Sequence, residues 1–377
     1  MASEAVRGRL VLDDRVAPGS MTIEDGTIVG VELDAAAASG DAETLPYLTP
    51  GFVDLHVHGW GGFDAMGGAV ALDGMSRALL RRGVTSFLPT AVTAPLETLT
   101  TFTETVREWA AHAPSDGADP LGTNLEGPFL AQARHGAHDP ALLREPADVG
   151  MAELAPLLDG LRVTTVAPEL RGAVELIGRL VVDGVSVSIG HSNASLDVAR
   201  AGYAAGARST THLFNAMSGL DHRSPGVALA ALLDDDVYVE LIADGIHVHP
   251  AVWALITRAK PVDRLLLVSD ALAIAGTGDG RGRVGQLEVD VVGDRATLAG
   301  TDTLAGSVIA LDTAVRNLVD SGVPLPAAVA AASRNPLTLL GVTDRGRLAP
   351  GQRADIVELD GDLRVRRVMK TGSWMPG

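Results

Sequence analysis

The chain has 377 residues, 46% of them hydrophobic, with a formal net charge of −17 and no cysteine. This size and apolar content suffice for one large buried core, alone or with a small companion domain. The acidic balance disfavours nucleic acid and anionic membranes as partners, and the lack of cysteine excludes disulfides, thiolate ligands and cysteine nucleophiles. Residues 1–10 do not resemble a signal peptide and no apolar run reaches membrane-spanning length, so we expect a cytoplasmic protein.

The first 50 residues predict a small β unit. Three short strand-like runs, at 9–12, 19–23 and 27–32, are separated by turn residues. The dipeptide Asp25-Gly26 between the second and third runs is a strong signal for a hairpin turn. A stretch rich in Ala, Ser, Gly and Asp at 34–43 predicts a loop.

From residue 51 onward, strand-like and helix-like patterns alternate. Strands are predicted at 51–57, 84–90, 119–125, 161–167, 185–190, 208–213, 237–243 and 264–269. Helices are predicted between them at 72–82, 95–112, 141–158, 172–183 and 195–205. Repeated βα units of this length predict an α/β fold in which eight parallel strands close into a (β/α)8 TIM-type barrel, with a doubly wound sheet as the alternative.

The last hundred residues depart from this alternation. A Gly-, Asp- and Val-rich stretch at 276–303 predicts an inserted β excursion, followed by helices near 306–321 and 325–340 and by strands within 346–359. Strands at both ends of the chain suggest one discontinuous unit. We therefore predict a small β-sandwich domain from residues 1–50 and 344–377, beside a barrel of residues 51–343.

The first barrel strand ends in two histidines, His56 and His58. Residues i and i+2 of an extended chain point to the same face, so both imidazoles are directed at one point. Imidazole is the commonest protein ligand for zinc and similar ions. Alone, however, a His-X-His pair is a weak signal, and two unrelated histidines beside a glycine turn explain it equally well.

Ionisable groups at the ends of other strands favour the metal site. They are Glu126 after the third strand, His191 after the fifth, His212 in the sixth, His247 after the seventh and Asp270 after the eighth. In barrels of this kind the active site lies at the carboxyl ends of the strands. The sequence therefore predicts one metal-containing active site at that rim.

Several motifs resemble the amidohydrolase superfamily and, within it, the N-acetylglucosamine-6-phosphate deacetylases. The motifs are PGFVDLHVHG at 50–59, LEGPF at 125–129, HGAH at 135–138, GHSNA at 190–194, THLFNAM at 211–217, ADGIHV at 243–248, SDA at 269–271 and LAGS at 304–307. The resemblance covers nearly the whole chain in order. It implies a metal-dependent enzyme that hydrolyses the acetamide of N-acetyl-D-glucosamine 6-phosphate to D-glucosamine 6-phosphate and acetate, in amino-sugar catabolism.

Barrel hydrolases with two metals need an anionic group that bridges them. The only lysines, Lys260 and Lys370, do not lie at a barrel strand end, so the bridge must be a carboxylate, and Glu126 is the one at the predicted rim. Glu126 with His191 and His212 would form one metal site. His56 and His58 could hold a second ion that shares Glu126 and Asp270. We expect one or two divalent ions per subunit, with zinc and iron both compatible with these ligands.

The resemblance also assigns catalytic and substrate-binding roles. Asp270 would take a proton from water and deliver it to the departing amine, and His138 would help to polarise the acetyl carbonyl. The sugar would contact Asn215 and Ala216. The phosphate would contact His247 and Arg223, the latter from a neighbouring subunit, which implies a homodimer. The remaining predicted contacts are backbone groups of Leu304, Ala305 and Gly306.

Four other histidines have no predicted ligand role. His112 ends a helix, His249 precedes Pro250 at a helix start, and either His135 or His222 could assist phosphate binding. The loop 130–138 is a predicted lid over the sugar, and it carries Arg134 and His135 where relatives commonly have lysines. Deacetylation of another acetylated amino sugar, cleavage of a cyclic amide, and a non-catalytic sugar-phosphate-binding barrel remain alternative hypotheses.

Overall fold

The computed structural model describes residues 4–34 and 44–376, so most of the predicted loop at 34–43 lies outside the described residues. Near the amino terminus it contains four strands: β1 (Glu4–Val11), β2 (Val16–Glu24), β3 (Thr27–Leu33) and β4 (Tyr47–Pro50). The turn between β2 and β3 is Asp25-Gly26, with φ values of 47° and 77°. A two-residue hairpin turn of the primed type requires positive φ at both positions, so the predicted hairpin is confirmed.

The barrel region follows. Its strands are β5 (Phe52–Val57), β6 (Gly59–Trp60), β7 (Phe63–Asp64), β8 (Val84–Val92), β9 (Asp119–Pro120), β10 (Thr123–Glu126), β11 (Leu161–Val166), β12 (Ser186–Ile189), β13 (Ser209–Thr210), β14 (Tyr238–Leu241) and β15 (Leu265–Leu267). Within the described chain, eight of these strands pair in parallel in the order β5-β8-β10-β11-β12-β13-β14-β15. The first and last strands meet where the Asp270 N–H donates to the His56 carbonyl at 2.8 Å, as the predicted TIM-type barrel requires.

Helices lie between the barrel strands and in the segment that follows the last of them. They are α1 (Ala69–Leu80), α2 (Leu96–Ala110), α3 (Met151–Leu158), α4 (Ala173–Val182), α5 (Leu196–Ala204), α6 (Val227–Leu233), α7 (Pro250–Ala259), α8 (Leu311–Asp320), α9 (Leu325–Ala331) and α10 (Arg334–Leu340). Among the described residues, no helix combines the length and apolar content needed to cross a bilayer.

Two predicted helices were wrong in their extent. The predicted helix at 141–158 is α-helical only in α3, because the preceding segment forms separate 3₁₀ turns that begin at Pro140 and Pro146. The predicted helix at 325–340 is divided into α9 and α10 near Ser333. Pro336 explains the division, since proline lacks an N–H and its ring would clash with the carbonyl four residues earlier in a continuous helix.

The predicted β excursion is a small antiparallel sheet of β16 (Gly280–Val284), β17 (Leu287–Val292) and β18 (Arg295–Leu298), here called the insert sheet. Its buried residues include Val284, Val289 and Val291, which pack in one apolar cluster with Val92 and Leu272 of the barrel. This packing places the insert sheet over the carboxyl ends of the strands, where β8 and β15 end.

The chain ends in β19 (Ile356–Leu359), β20 (Val365–Lys370) and β21 (Ser373–Trp374). In the described residues these strands and the first four form one sheet, in the order β21-β20-β19-β4-β1-β2-β3. The predicted small β unit built from both termini is therefore confirmed. The edge strand β3 also contacts the carboxy-terminal part of the chain, where the Ile28 N–H donates to the Gln352 carbonyl at 2.9 Å. On the basis of this strand pairing, we propose that residues 1–50 and 344–377 form one domain and that residues 51–343 form the other.

An ion cluster joins the terminal sheet to the amino-terminal end of the barrel. The Asp119 carboxylate on β9 lies 2.6 Å from Arg353 Nη1 and 2.6 Å from Lys370 Nζ, both from the carboxy-terminal part of the chain. Arg345 Nη1 lies 3.3 Å from the same carboxylate. Asp119 thus connects β9, which pairs with β8, to the sheet built from the two termini.

Candidate metal centre and active site

The predicted metal ligands meet at the carboxyl ends of the barrel strands. Each is at least nine-tenths buried: His56, His58, Glu126, His191, His212 and Asp270. Their ligand atoms form two groups in which all atoms lie within 4.8 Å of one another, and Glu126 belongs to both groups. The barrel therefore brings together side chains that are widely separated in the sequence.

The first group contains His56, His58, Glu126 and Asp270. The His58 Nε2 atom lies 3.2 Å from Glu126 Oε2 and 3.2 Å from Asp270 Oδ1. The His56 Nε2 atom lies 3.5 Å from each of the same two oxygens and 3.3 Å from His58 Nε2. Two imidazole nitrogens and two carboxylate oxygens thus surround one point.

The second group contains Glu126, His191 and His212. The Glu126 Oε1 atom lies 3.0 Å from His191 Nε2 and 2.9 Å from His212 Nε2, and the two nitrogens are 3.1 Å apart. Glu126 therefore directs one oxygen to each group, as a carboxylate that bridges two positions would do.

The hydrogen bonds of the Nδ1 atoms, which point away from the two groups, indicate whether the Nε2 atoms within the groups carry a lone pair. His58 Nδ1 lies 3.1 Å from the Thr90 carbonyl, and His191 Nδ1 lies 2.8 Å from the Arg134 carbonyl. A carbonyl oxygen only accepts hydrogen bonds, so we infer that Nδ1 carries the proton in the neutral form of each ring and that Nε2 then presents a lone pair. Imidazole lone pairs and carboxylate oxygens that lie about 3 Å from one another repel unless a cation binds between them. The residues therefore fit a divalent metal with imidazole and carboxylate ligands.

The charges of the buried acids agree with this fit. Burial alone would raise the pKa of Glu126, but the imidazoles of His56 and His138 outweigh it and hold that pKa well below its usual range. Burial likewise opposes ionisation of Asp270, yet the protonated forms of His56 and His58 lower its pKa to about 2. Burial lowers the pKa of His191 to about 4, which favours the neutral, ligating form of that imidazole.

The backbone at the site is strained. Positive φ angles occur at His191 (46°), His212 (28°), Phe214 (78°), Ala216 (48°) and Asp270 (51°), which are five of the eight non-glycine positions of this kind in the described chain. A non-glycine residue in this region costs about 1–3 kcal/mol and persists only where the surrounding structure enforces it. The same angles end the extended backbone, which explains why β13 is shorter than the predicted strand at 208–213.

His138 differs from the ligand histidines. Its Nδ1 accepts a hydrogen bond from the Thr93 N–H at 3.3 Å and lies 2.8 Å from the Thr93 hydroxyl. An accepting Nδ1 leaves the proton on Nε2, so we infer that Nε2 is a donor. That Nε2 lies 3.3 Å from Glu126 Oε2, at the edge of the metal-ligand groups. His138 is thus placed to donate a hydrogen bond to a group bound there.

A cavity of about 360 Å³ opens onto these residues. Of the predicted substrate-binding residues, those that line it are His138, Asn215, Ala216, His247, Leu304 and Gly306. Ala305 does not line the cavity: it is fully buried, and its N–H donates to the Ala296 carbonyl. Arg223 is exposed and lies outside the cavity lining of this described chain.

The predicted lid also reaches the cavity. Arg134 and His138, from the loop 130–138, line it. The Arg134 Nε atom donates to Asn193 Oδ1 at 2.9 Å, while the Arg134 carbonyl contacts His191. This loop therefore holds His191, a predicted metal ligand, and contributes a positive charge to the cavity.

Sequence reasoning missed two buried acids that hold His56. The Glu240 Oε2 atom on β14 lies 3.2 Å from His56 Nδ1 and accepts the His212 N–H at 3.0 Å. The Asp54 Oδ1 atom on β5 accepts the N–H groups of His56 and Ser269. A usable signal existed, because the other residues of the two strands, apart from His56, are apolar or aromatic. A buried carboxylate in such a place requires partners.

The remaining histidines lie outside the two groups of metal-ligating atoms in the described chain. The His249 Nδ1 atom accepts the Ala251 N–H and caps α7, a structural role. His112 follows α2, and His222 is exposed. The His135 ring hydrogen-bonds to the His138 carbonyl at 3.0 Å.

Comparison with known proteins identifies the class. The amidohydrolase family matches residues 47–375, which include the barrel and every residue of the two ligand groups. The chain belongs to the amidohydrolase family, whose members are metal-dependent hydrolases.

Within this family the chain is similar to deacetylases of amino-sugar 6-phosphates. It is 39% identical to an N-acetylgalactosamine-6-phosphate deacetylase of Escherichia coli O157:H7, over 97% of this chain and 94% of the relative. It is also 39% identical to the N-acetylglucosamine-6-phosphate deacetylase of Bos taurus, over 97% of this chain and 90% of the relative. The resemblance predicted from the motifs is confirmed.

A solved structure gives the same result. The chain superposes with a TM-score of 0.89 and 37% identity, over 100% of both chains, on an aspartate-to-alanine mutant of N-acetyl-D-glucosamine-6-phosphate deacetylase from Mycobacterium smegmatis. That mutant is in complex with N-acetyl-D-glucosamine-6-phosphate. The predicted barrel is therefore shared with enzymes of this group.

Proposed function

We propose that this protein hydrolyses the acetamide of N-acetyl-D-glucosamine 6-phosphate to D-glucosamine 6-phosphate and acetate, as a step of amino-sugar catabolism. The observation that carries the proposal is the meeting of Glu126, Asp270 and His138 around one cavity, in a chain that resembles deacetylases along almost its whole length. The similarity to an N-acetylgalactosamine-6-phosphate deacetylase makes the galactose epimer the second candidate substrate.

The metal would be held by the two groups described above. His56, His58, Glu126 and Asp270 would hold one ion, and Glu126, His191 and His212 the other, so that one or two ions bind per subunit. When bound there, zinc or iron supplies Lewis acidity that activates water and polarises the amide carbonyl.

Asp270 is the proposed general base and acid. Its carboxylate is ionised at neutral pH, because its pKa is lowered to about 2. It therefore accepts a proton from the water whose oxygen bonds to the acetyl carbon. It then gives that proton to the sugar nitrogen as the C–N bond breaks, so that the leaving group is a neutral amine.

His138 is the proposed oxyanion donor. Its Nε2 carries the proton when Nδ1 accepts from Thr93, and it is directed at the ligand groups. A fixed donor at the point where negative charge develops on the carbonyl oxygen stabilises the transition state more than the ground state.

The sugar and phosphate occupy the outer part of the cavity in this proposal. Asn215 and Ala216 contact the sugar, and His247 contacts the phosphate, with its ring oriented by Asp244 through a contact of 2.6 Å. Leu304 and Gly306 line the cavity beside them. Ala305 can offer only its carbonyl, because its N–H is already used.

Arg223 is proposed to reach the phosphate of a neighbouring subunit in a homodimer. Its exposure on a loop outside its own cavity supports an intersubunit role. Arg134 supplies a positive charge within the chain's own cavity. Replacing Arg223 by Ala should raise KM for phosphorylated sugar and leave the rate on free N-acetylglucosamine unchanged. An equal effect on both sugars would contradict the phosphate role.

A cytoplasmic location follows from this substrate, since a charged sugar phosphate does not cross a bilayer unaided. The partners expected are therefore the substrate and a second copy of the chain, without nucleic acid or membrane.

The decisive experiment measures acetate release by the purified, metal-replete protein. We expect turnover of N-acetylglucosamine 6-phosphate, slower turnover of the galactose epimer and little turnover of the unphosphorylated sugar. Bound metal without release of acetate from any of these compounds would favour the non-catalytic alternative. Release from a cyclic amide alone would favour a different hydrolase.

A further inference from the structure

A second cavity, of about 390 Å³, lies beside the active-site cavity. The two cavities share four lining residues: His58, Val92, Leu272 and Val284. The second cavity is also lined by residues that do not line the active-site cavity and lie outside the proposed catalytic machinery, among them Thr98 and Leu142. These four shared residues therefore form a thin wall between the active-site cavity and a second space of comparable size.

The three apolar residues of this wall come from three separate elements. Val92 ends β8, Leu272 follows β15, and Val284 ends β16 of the insert sheet. All three are more than nine-tenths buried and belong to one apolar cluster. The wall is closely packed, because a methyl built on Gly285 would lie 3.1 Å from Val92 Cγ2, and one built on Gly306 would lie 2.8 Å from Leu272 Cδ2.

The wall borders the reacting centre through its neighbours in the chain. Val92 lies between Thr90, whose carbonyl holds His58, and Thr93, which holds His138. Leu272 follows the proposed acid and base Asp270 by two residues. Because the three apolar wall residues line the same cavity as Asp270 and His138, an amide carbon attacked with the help of those two residues lies next to this wall.

The three substituents of that carbon have different requirements. The oxygen needs a hydrogen-bond donor, which His138 provides. The nitrogen leads to the sugar, whose polar groups need the part of the cavity lined by Asn215, His247 and Arg134. The methyl group needs an apolar surface, and the buried wall supplies one beside the reacting centre.

We infer that Val92, Leu272 and Val284 form the acyl-recognition wall of this enzyme and restrict it to acetyl. This inference rests on the proposed deacetylase function. A longer acyl chain would collide with the wall, and the space that it requires lies directly behind, in the second cavity. Trimming the wall should connect the two cavities and admit longer N-acyl groups.

The test compares N-acetyl-, N-propionyl- and N-butyrylglucosamine 6-phosphate as substrates of the metal-replete wild type and of the variants Val92→Ala and Val284→Ala. One methylene in an apolar pocket changes kcat/KM by roughly 10- to 200-fold. We expect the wild type to lose activity with each added methylene. In each variant the ratio of kcat/KM for butyryl over acetyl should rise at least about tenfold.

The control is Leu142→Ala, which enlarges the second cavity at a residue that does not line the active-site cavity, and should leave the acyl preference unchanged. The two wall variants alter different elements, so a folding defect in one, detected by thermal unfolding, leaves the other informative. An unchanged ratio in a folded wall variant that still releases acetate would overturn the inference. An equal shift in the control would also overturn it. A wild type that releases no acid from any of the three compounds would instead refute the proposed function.

Discussion

Two acids at opposite ends of one short segment show how this barrel separates chemistry from stability. Glu126, at the carboxyl end of β10, has five imidazole nitrogens within 3.5 Å of its oxygens among the described residues. Asp119, at the amino-terminal end, contacts the side chains of Arg345, Arg353 and Lys370. Each acid is a carboxylate surrounded by basic side chains, yet only one of the two positions is suited to hold a metal.

The difference lies in what the basic groups can do. An imidazole can give up its proton and then offers a lone pair, so the groups around Glu126 can exchange protons for a metal. Guanidinium and ammonium groups stay protonated and have no lone pair to offer, so the groups around Asp119 can only form ion pairs. The carboxyl end of the barrel therefore performs chemistry, while the amino end fastens the terminal sheet, as is usual for this fold.

The largest effect on the catalytic end is expected from Asp270→Asn. The amide cannot accept the proton of the attacking water, so kcat for acetate release should fall by roughly 10²- to 10⁴-fold. The measurement is acetate release under saturating substrate, with circular dichroism to verify the fold. A kcat within tenfold of the wild type would show that another group carries the proton.

A smaller effect on the same end is expected from Glu240→Leu, which removes the carboxylate that orients His56. Groups that hold a ligand histidine typically contribute 10- to 100-fold to metal affinity, so metal should bind about 10- to 100-fold more weakly. Metal titration by calorimetry measures this without reference to activity. The variant Glu240→Gln keeps an oxygen acceptor and should bind metal with intermediate affinity. Equal affinities in all three proteins would exclude a positioning role for Glu240.

At the other end, Asp119→Asn should affect stability and spare catalysis. Loss of the charged hydrogen bonds to Arg353 and Lys370 should lower the free energy of unfolding by about 2–3 kcal/mol. Denaturant unfolding gives this difference, and kcat/KM of the folded variant should equal that of the wild type. Reduced kcat/KM with unchanged stability would show that Asp119 serves catalysis, and would contradict a purely structural role for the amino-terminal end of the barrel.

The stability difference between wild type and Asp119→Asn should also depend on pH. Burial by itself would raise the pKa of Asp119, but Arg353 and Lys370 outweigh burial and lower the pKa below 3.8. A carboxyl whose folded pKa is depressed stabilises the protein above its unfolded pKa and loses that contribution as the pH falls through the folded value. Unfolding curves at pH 7 and at about pH 3 should thus show a larger difference at neutral pH. A difference that grows toward acid pH would contradict this assignment.

Much of the fold and of the candidate site could be predicted from local sequence patterns. The βα alternation predicted the barrel, and the strand-end acids and histidines predicted the ligand set that the structure brings together. The extents of α3 and of α9 with α10 were missed, because prolines inside helix-like patterns divide them. Glu240 was missed because it lies inside β14, in a strand predicted as apolar, and its partner His56 is 184 positions away in the sequence.

The sequence by itself therefore determined the kinds of element and the chemical types of the ligands. Both depend on residues a few positions apart, whose periodicity and lone pairs are local properties. Only the tertiary structure decided which atoms meet: the closure that sets Asp270 beside His56, the carbonyls that leave a lone pair on His58 and His191, and the wall built from three elements. These depend on distances between strands and on the partners of single atoms, which follow from the packing of the whole barrel.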